Sequence, residues 1–337
     1  MPFLQATRRL CLPLKPLNMA KWTPPKSRSR IRFISSEDLA DRITRHLELD
    51  SVPGGRIVIE THPGPGILTR SLLKAGAQKI LGVEPNEKYK KELANKDERV
   101  AMVDHLVRYR ISGQGSTVYN LPTQDKPLMK GGVMFHTPMA GNRSLPWIKS
   151  EPWSQPQHSA IITGIPDQSS RGQDAAALHL LQNIRERFNF HTYGRLEAVI
   201  LLRRITSENL RAEPGSRSRG MMAVTAECTV DVELLEQVPT SEVYPPMEMD
   251  LVRITPHIHN PLKADLDMFL RCSRILLTRK THPLAENIRY LGAGAEALLK
   301  DVSADPKTLT RDLTLHQLDQ IAYAFEHWVH RPDAMNF

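Results

Sequence analysis

VIETHPGPGILT, residues 58–69, is the stretch that decides the predicted fold. An apolar run ends in the acid Glu60, turns through Gly64 and Gly66, and enters a segment of helical composition. A second apolar run, KILGV at residues 79–83, also ends in an acid. Strand, glycine turn, helix, strand and acid follow one another as in a nucleotide-binding βαβ unit, whose glycines let the backbone approach a ligand.

The spacing of this unit favours one class of ligand. It is short and lacks the complete G-x-G-x-x-G of dinucleotide sites, so we expect a compact adenosyl ligand whose ribose hydroxyls bond to Glu84. Glycines that only turn a tight loop in another kind of α/β protein are the alternative.

Strand-like and helix-like runs alternate along most of the chain. The clearest later strands are SAIIT at 159–163, LEAVILL at 196–202 and LVRI at 251–254, and helical spacing occurs at 37–49 and 175–188. Such alternation predicts a mostly parallel, doubly wound α/β sheet.

The same pattern divides the chain into segments. They are a basic N-terminal segment (1–27), an α/β domain (28–260) and a small helical C-terminal domain (261–337). Glycines and prolines break the periodicity at 111–157, which predicts an insertion or long loop. Long loops in compact domains are usually functional or mobile.

The net charge of +8 is concentrated at the N-terminus. Residues 1–36 hold eight basic side chains and no acid, so the remainder balances at 37 basic against 37 acidic residues. A basic, acid-free, proline-interrupted start is typical of a mitochondrial targeting segment, so we expect location in the mitochondrion, in its matrix or nucleoid. A basic tail that contacts nucleic acid is the alternative.

Composition excludes several classes of protein. The three cysteines are far apart and form no C-x-x-C pair, which argues against a disulfide framework and against a zinc site. No window approaches the ~18 consecutive apolar residues of a membrane helix, so we expect no membrane partner.

Motifs in the second half of the α/β region occur in a characteristic order. They are EPGSRSRG at 213–220, DVE at 231–233, VP at 238–239, YPP at 244–246 and VRITP at 252–256. Together with ETHPGPGILT at 60–69, this order resembles the rRNA adenine dimethyltransferases and their relatives, the mitochondrial transcription factors B, over roughly residues 30–330. The resemblance implies a Rossmann-like, S-adenosylmethionine-dependent methyltransferase fold with a helical C-terminal domain.

The resemblance also implies a site for S-adenosylmethionine, without a metal. Glu84 and Asp104 fall where the family places its ribose-binding and adenine-binding acids, and Ile34 lies in the segment that covers the cofactor. The implied contacts are Ile34, Glu60, His62, Gly64, Gly66, Glu84 and Asp104. His62 stands where the family usually has glycine, so we expect its side chain to intrude on the methionine part of the pocket.

The catalytic motif departs from the family. Active members resemble one another in an Asn-Leu-Pro-Tyr motif, whose Asn side chain and following carbonyl accept hydrogen bonds from the amine of a flipped adenine, while the ring stacks on the base. The best-placed match here is Gly164, Ile165, Pro166 and Asp167, which lacks both the amide and the ring. Asn120, which begins an Asn-Leu-Pro sequence, is the alternative, although no convincing strand precedes it.

A retained scaffold, an eroded catalytic motif and a basic N-terminus together resemble the fungal-type mitochondrial transcription factors. This resemblance implies an initiation factor, a monomer within a larger complex, that helps mitochondrial RNA polymerase recognise and melt promoter DNA. The expected nucleic-acid contacts are Arg203, Arg204, Arg211, Arg217 and Arg219, for which a solvated charged surface is the alternative. An active rRNA adenine N6-dimethyltransferase of the mitochondrial small ribosomal subunit is the alternative function, with Asn120 positioning the base.

Two further motifs carry weaker signals. His257 and His259 have metal-like spacing but no local carboxylate or cysteine partner, so we expect an exposed loop. Trp147 and Trp153 have aromatic rings that stack well on bases, but tryptophans in a long loop more often anchor that loop to the core.

Overall fold

The computed structural model describes residues 32–94, 97–103, 107–110, 117–120, 148–166 and 172–332. The strands are β1 (Phe33–Ile34), β2 (Ile57–Thr61), β3 (Lys79–Val83), β4 (Val100–Val103), β5 (Val107–Arg110), β6 (Thr117–Asn120), β7 (Ala160–Gly164), β8 (Ala198–Arg203), β9 (Val230–Val238), β10 (Val243–Tyr244) and β11 (Met249–Pro256). The helices are α1 (Glu37–His46), α2 (Ile67–Lys74), α3 (Glu87–Ala94), α4 (Gly172–Arg185), α5 (Arg204–Leu210), α6 (Met221–Thr229), α7 (Leu266–Thr278), α8 (Leu284–Asn287) and α9 (Leu315–Glu326).

Seven strands form the central sheet, in the order β4-β3-β2-β7-β8-β11-β9. The first five are parallel to one another, whereas β11 runs antiparallel to both β8 and β9. The prediction of a mostly parallel, doubly wound α/β sheet is therefore confirmed. The strand order reverses at β2, and such a reversal is where ligands of this sheet type bind.

Alternate residues of the central strands face opposite sides of the sheet. In β2, Val58 joins a core shared with α1 and α2, whereas Ile57 and Ile59 join a second core shared with α4. Both sides of the strand are thus buried, which explains its continuous apolar run. Ser36 caps α1 by accepting a hydrogen bond from the Leu39 N–H at 3.2 Å.

Beyond Pro256 the regular elements of the described chain are helices and short 3-10 turns. They surround a third core, built around Phe269, Leu318 and Phe325. Val224 and Cys228 of α6 belong to the same core, so its packing extends across the expected boundary at 260/261. No helix in the described ranges has the length and apolarity needed to span a bilayer.

Two pairings were not predicted from the sequence. The segment expected to be a loop contains β6, which pairs with β5 in a separate two-stranded sheet. In addition, β1 pairs with β10, so that Phe33 lies opposite Tyr244. Two-residue strands carry almost no periodic signal, which is why sequence patterns miss them.

Candidate cofactor and base site

The predicted site lies at the carboxyl ends of β2, β3 and β7. Thr61, the last residue of β2, is paired with Val83 on one side and with Gly164 on the other. Glu60 precedes it, and Glu84 follows β3 directly. Parallel strands that end at one edge bring these residues together although up to 104 positions of sequence separate them.

Glu84 holds the glycine turn in place. It is 1% exposed, and its carboxylate accepts hydrogen bonds from the Gly64 N–H at 3.0 Å and the Asn86 N–H at 2.8 Å. Burial raises the pKa of Glu84, and the two backbone donors oppose that rise. Each oxygen keeps a further lone pair, so the carboxylate can still accept from a ribose hydroxyl.

Glu60 is a second buried acid at this edge. Its Oε2 accepts from the Thr69 hydroxyl at 2.7 Å, whereas its buried Oε1 has no partner among the described residues. Burial raises the pKa of Glu60 to about 8, and the neighbouring charge of Glu84 acts in the same direction. Burial thus favours the protonated form of Glu60, which can donate a hydrogen bond.

Both turn glycines are required by backbone conformation and by close neighbours. Gly64 has φ +55°, and a Cβ there would lie 2.8 Å from the Cβ of Phe33. Gly66 has φ +85°, and a Cβ there would lie 2.3 Å from Leu93. The turn therefore packs tightly against β1 and α3, and the buried Ile34 follows Phe33 in β1.

His62 reaches across the site to β7. It adopts a left-handed φ of +51°, and its Nδ1 lies 3.0 Å from the carbonyl oxygen of Ile165. Because a carbonyl only accepts, Nδ1 carries the proton in this hydrogen bond. Intrusion of His62 on the methionine part of the pocket stays a prediction, and in this structure the imidazole bonds to the Ile165 carbonyl.

Gly164 is closely packed against Thr61. Its φ is +102°, and a Cβ there would lie 2.3 Å from the Thr61 carbonyl oxygen and 2.9 Å from the Thr61 nitrogen. The Ile165 N–H donates to that carbonyl at 3.2 Å, and the Thr61 hydroxyl donates to the Thr163 carbonyl at 3.0 Å. In this backbone, the position has no space for an asparagine side chain.

The structure does not bring the other predicted base-site residues next to Gly164 and Thr61. Pro166 directly follows Ile165 and is half-buried, whereas Asp104 and Asp167 lie outside the described residues. Asn120 ends β6, where it pairs with Val107 in the small separate sheet. Asn120 therefore lies outside the central sheet, whereas Gly164 ends a strand of that sheet.

The five predicted nucleic-acid contacts differ in how free their side chains are. Arg203 and Arg217 are exposed, and neither forms an ion pair within the described ranges. Arg204 and Arg211 are partly exposed and share the buried carboxylate of Asp250, at 3.4 and 3.7 Å.

The prediction for Arg219 is wrong. Its side chain is 2% exposed, forms an ion pair with Glu227 at 2.6 Å, and donates to the carbonyls of Ala212 and Leu313. A buried charge must be paired and hydrogen-bonded, and this one is used to hold the chain together. Arg219 therefore cannot contact nucleic acid.

Sequence reasoning missed two features of the site. Thr69 is the hydroxyl partner of Glu60, and its position in the first turn of α2 is the only signal that could have indicated it. Tyr244 stacks on Phe33 with ring centroids 5.3 Å apart, and this contact follows from the unpredicted β1–β10 pairing.

The residues fit an adenosyl ligand only in part. Glu60 and Glu84 supply the acidic frame at the strand ends, and the unpartnered Oε1 of Glu60 is a polar atom that a ligand would satisfy. Where the resemblance implies base positioning, Gly164 has no side-chain acceptor and the Ile165 carbonyl already accepts one hydrogen bond, from His62. No cluster of potential metal ligands occurs among the residues that the structure describes.

Comparison with known proteins identifies a matching protein family and several similar proteins. The profile of the family described as Ribosomal RNA adenine dimethylase matches residues 175–325. Dimethyladenosine transferase 1, mitochondrial, of Vermamoeba vermiformis is 24% identical over 322 residues, which cover 89% of this chain and 90% of that protein. Ribosomal RNA small subunit methyltransferase A of Xanthobacter autotrophicus is 22% identical and covers 80% of each chain.

Solved structures agree with the fold. The crystal structure of the 23S rRNA methyltransferase ErmE superposes with a TM-score of 0.54 at 15% identity, covering 88% of this chain and 100% of that one. The dimethyladenosine transferase of Plasmodium falciparum also gives a TM-score of 0.54, at 13% identity, with 87% and 97% covered. The chain thus has the Rossmann-like methyltransferase fold and is similar in sequence to rRNA adenine dimethyltransferases, mitochondrial ones among them.

Proposed function

We propose that this protein binds nucleic acid in the mitochondrion without methylating it, as an initiation factor on a dimethyltransferase scaffold. In this role it helps mitochondrial RNA polymerase recognise and melt promoter DNA. The observation that carries the proposal is the hydrogen bond from His62 to the Ile165 carbonyl, beside a Gly164 that has no space for a side chain.

The chemistry of adenine methylation explains why this observation matters. The exocyclic amine must be held by two acceptors so that its lone pair points at the methyl group. Here Gly164 offers no side-chain acceptor, and the Ile165 carbonyl already accepts from an imidazole. We propose that a base that entered the pocket would be bound without being aligned for attack, because Gly164 has no side-chain acceptor and the His62 imidazole lies against the Ile165 carbonyl.

Glu60 and Glu84 at the strand ends would hold S-adenosylmethionine if it binds. Glu84 would accept from its ribose, and Glu60, Gly64 and Gly66 would line its methionine side, with Ile34, His62 and Asp104 as the remaining predicted contacts. The bound cofactor supplies an electrophilic methyl group in this fold. We propose that any such binding is a remnant, since initiation requires capture of a strand and no group transfer.

Arginines beside the site support a nucleic-acid partner. Arg203 and Arg217 are exposed near the carboxyl edge and on the loop that follows α5, and we propose that they contact the strand backbone. Phosphate contacts of this kind supply most of the affinity for single strands, without sequence preference. We propose that the protein acts in the matrix or nucleoid, as a monomer within the polymerase complex.

An active rRNA adenine N6-dimethyltransferase is the second candidate. The names of the relatives favour it, because those proteins are called dimethyladenosine transferases and rRNA methyltransferases. It would require another residue, such as Asn120, to position the base. The position of Asn120 at the end of β6, outside the central sheet, gives this candidate less support.

Promoter opening tests the proposal. A mitochondrial promoter that carries 2-aminopurine near its start site is mixed with the polymerase, with and without the full chain, and strand opening is followed by fluorescence. We expect opening only with the protein, and a several-fold loss in the Arg203→Ala, Arg217→Ala double variant. The single variant Arg45→Ala, which removes an exposed arginine on α1, is the control and should open normally. Opening that is independent of the protein would overturn the proposal.

A further inference from the structure

Two buried acids at the carboxyl edge of the sheet are not balanced by positive charge. Glu60 and Glu84 are each 1% exposed. Within the described ranges, neither carboxyl forms an ion pair, and no basic side chain lowers the pKa of either one. A buried carboxylate normally needs an opposite charge, because burial penalises its ionised form. The described part of the chain does not supply that charge.

The hydrogen-bond partners of both acids are neutral. Glu60 accepts from the Thr69 hydroxyl through Oε2, and Glu84 accepts from the backbone N–H groups of Gly64 and Asn86. The second oxygen of Glu60, Oε1, is buried and has no partner among the described residues. Such an atom is rare in native proteins and calls for a partner from outside the chain. A positively charged ligand group would satisfy both the atom and the missing charge.

The charged and titratable groups on the elements around Glu60 do not change this balance. They are Glu84 after β3, Tyr89 on α3, Arg70 on α2 and His62 in the glycine turn, whereas β7 has apolar residues, threonine and glycine. Arg70 follows Thr69, but the acid whose charge acts on it is Glu37 of α1. His62 donates through Nδ1 to the carbonyl of Ile165, so this nitrogen does not pair with an acid.

Ligand charge and the protonation of Glu60 are linked in this arrangement. Burial, together with the charge of Glu84, raises the pKa of Glu60 to about 8, which favours the protonated form when no cation is near. A cation within about 4–6 Å favours the ionised carboxylate instead. A cationic ligand therefore displaces the Glu60 proton, and by reciprocity it binds more tightly once that proton has left. A neutral ligand has neither effect.

We propose that Glu60 selects a cationic adenosyl ligand, and that this ligand binds with release of the Glu60 proton. S-adenosylmethionine carries a sulfonium and an ammonium group, and both belong to the methionine part that Glu60 would line. The unpartnered Oε1 is the atom that carries the proposal. This selectivity rests on the cofactor site proposed above, and it depends neither on the nucleic-acid role nor on the loss of methyl transfer.

Isothermal titration calorimetry of the full chain tests this linkage. S-adenosylmethionine is titrated near pH 7 in buffers of different ionisation enthalpy, which gives the number of protons released per ligand. We expect the parent protein to release up to about one proton, and Glu60→Gln to release none from this position. The affinity of the parent should rise by at most about tenfold per pH unit until the pH reaches about 8. Above that pH it should level off, because the proton has then left Glu60.

Two variants control for other titrating groups. Glu60→Gln keeps an acceptor for the Thr69 hydroxyl, and urea unfolding checks that it folds. The ammonium group of the ligand titrates equally in every titration, so the difference between the parent and Glu60→Gln isolates Glu60. Glu296→Gln, which removes an exposed acid beyond Pro256, should behave like the parent.

A neutral ligand gives a comparison that needs no variant. 5′-Methylthioadenosine should bind to the parent without proton release and with no dependence on pH. Proton release that is equal for both ligands, or absent with S-adenosylmethionine, would overturn the role of Glu60. Competition by Mg²⁺ at low millimolar concentration would also overturn it, because the acids would then bind a metal ion. Failure of S-adenosylmethionine to bind would overturn this inference alone, whereas failure of promoter opening would count against the proposed function alone.

Discussion

Single residues decide the chemistry of this molecule, and the sequence indicates most of them. Glu60, Glu84 and the two turn glycines follow from one strand-turn-helix pattern, and the structure places them at one edge. The hydrogen bond of His62 to Ile165 could not be predicted, because it joins residues 103 positions apart through a left-handed backbone conformation. Contacts of this kind depend on strand register, which the sequence does not specify residue by residue.

Replacing Gly164 with asparagine tests how closely this position is packed. We expect Gly164→Asn to lose about 1–3 kcal/mol of stability, because the new Cβ would lie 2.3 Å from the Thr61 carbonyl oxygen. Gly76→Asn is the matched control, since Gly76 has a similar φ of +91° and nothing within 4 Å of its Cβ position. Urea unfolding measures both variants. Equal losses would show that φ alone, and not the contact with Thr61, restricts the position.

His191 should make the protein less stable in acid. It is buried, both ring nitrogens lack partners among the described residues, and burial lowers its pKa to about 3. In the unfolded chain, His191 takes up a proton below its usual pKa of ~6.5. The contribution of the buried, neutral His191 to the free energy of unfolding is therefore fully present above that pH. It is lost as the pH falls toward 3, by at most about 1.4 kcal/mol per pH unit.

The His191→Leu variant isolates this contribution. Its free energy of unfolding, measured by urea at several pH values, should depend less on pH between 6.5 and 3 than that of the parent protein. His316→Gln, at an exposed position on α9, should behave like the parent. An unchanged slope in His191→Leu would contradict the account, and buried His158, whose pKa is also lowered by burial, would then be the group to examine.

At the scale of elements, the long periodic segments were predictable and the short ones were not. The strands β2, β3, β7, β8 and β11 all follow from apolar runs in the sequence. Two-residue strands and the β5–β6 pair were missed, because their pairing depends on distant partners. The loop between α5 and α6 was predicted as basic, but its arginines have different roles that only packing reveals.

Arg219 and Arg217 give a direct test of those roles. Arg219→Ala should cost about 2–3 kcal/mol, because it leaves Glu227 without its ion-pair partner and two carbonyls without their donor, although Glu227 is about a third exposed. Arg217→Ala should leave stability within about 0.5 kcal/mol, since the side chain is exposed. Thermal and urea unfolding compare the two, and equal stabilities would show that the Arg219 contacts contribute little.

At the scale of the whole molecule, the fold is the Rossmann-like methyltransferase fold, and we propose that the base-positioning half of its site is altered. The α/β sheet and the buried acids Glu60 and Glu84 are present, as the resemblance implies. The loss of function proposed here follows from two positions, Gly164 and His62, that leave the sheet intact. We propose that this scaffold keeps its stability and a nucleic-acid surface while it has lost its chemistry.

Methyl transfer is the most direct test of this account. The purified full chain is incubated with S-adenosylmethionine labelled in its methyl group and a small-subunit rRNA hairpin, and label in adenine is counted. An active rRNA adenine dimethyltransferase is the positive control. We expect no label above background, whether or not the cofactor binds. Dimethyladenosine formed at a rate near that of the control would contradict the account and would direct attention to Asn120.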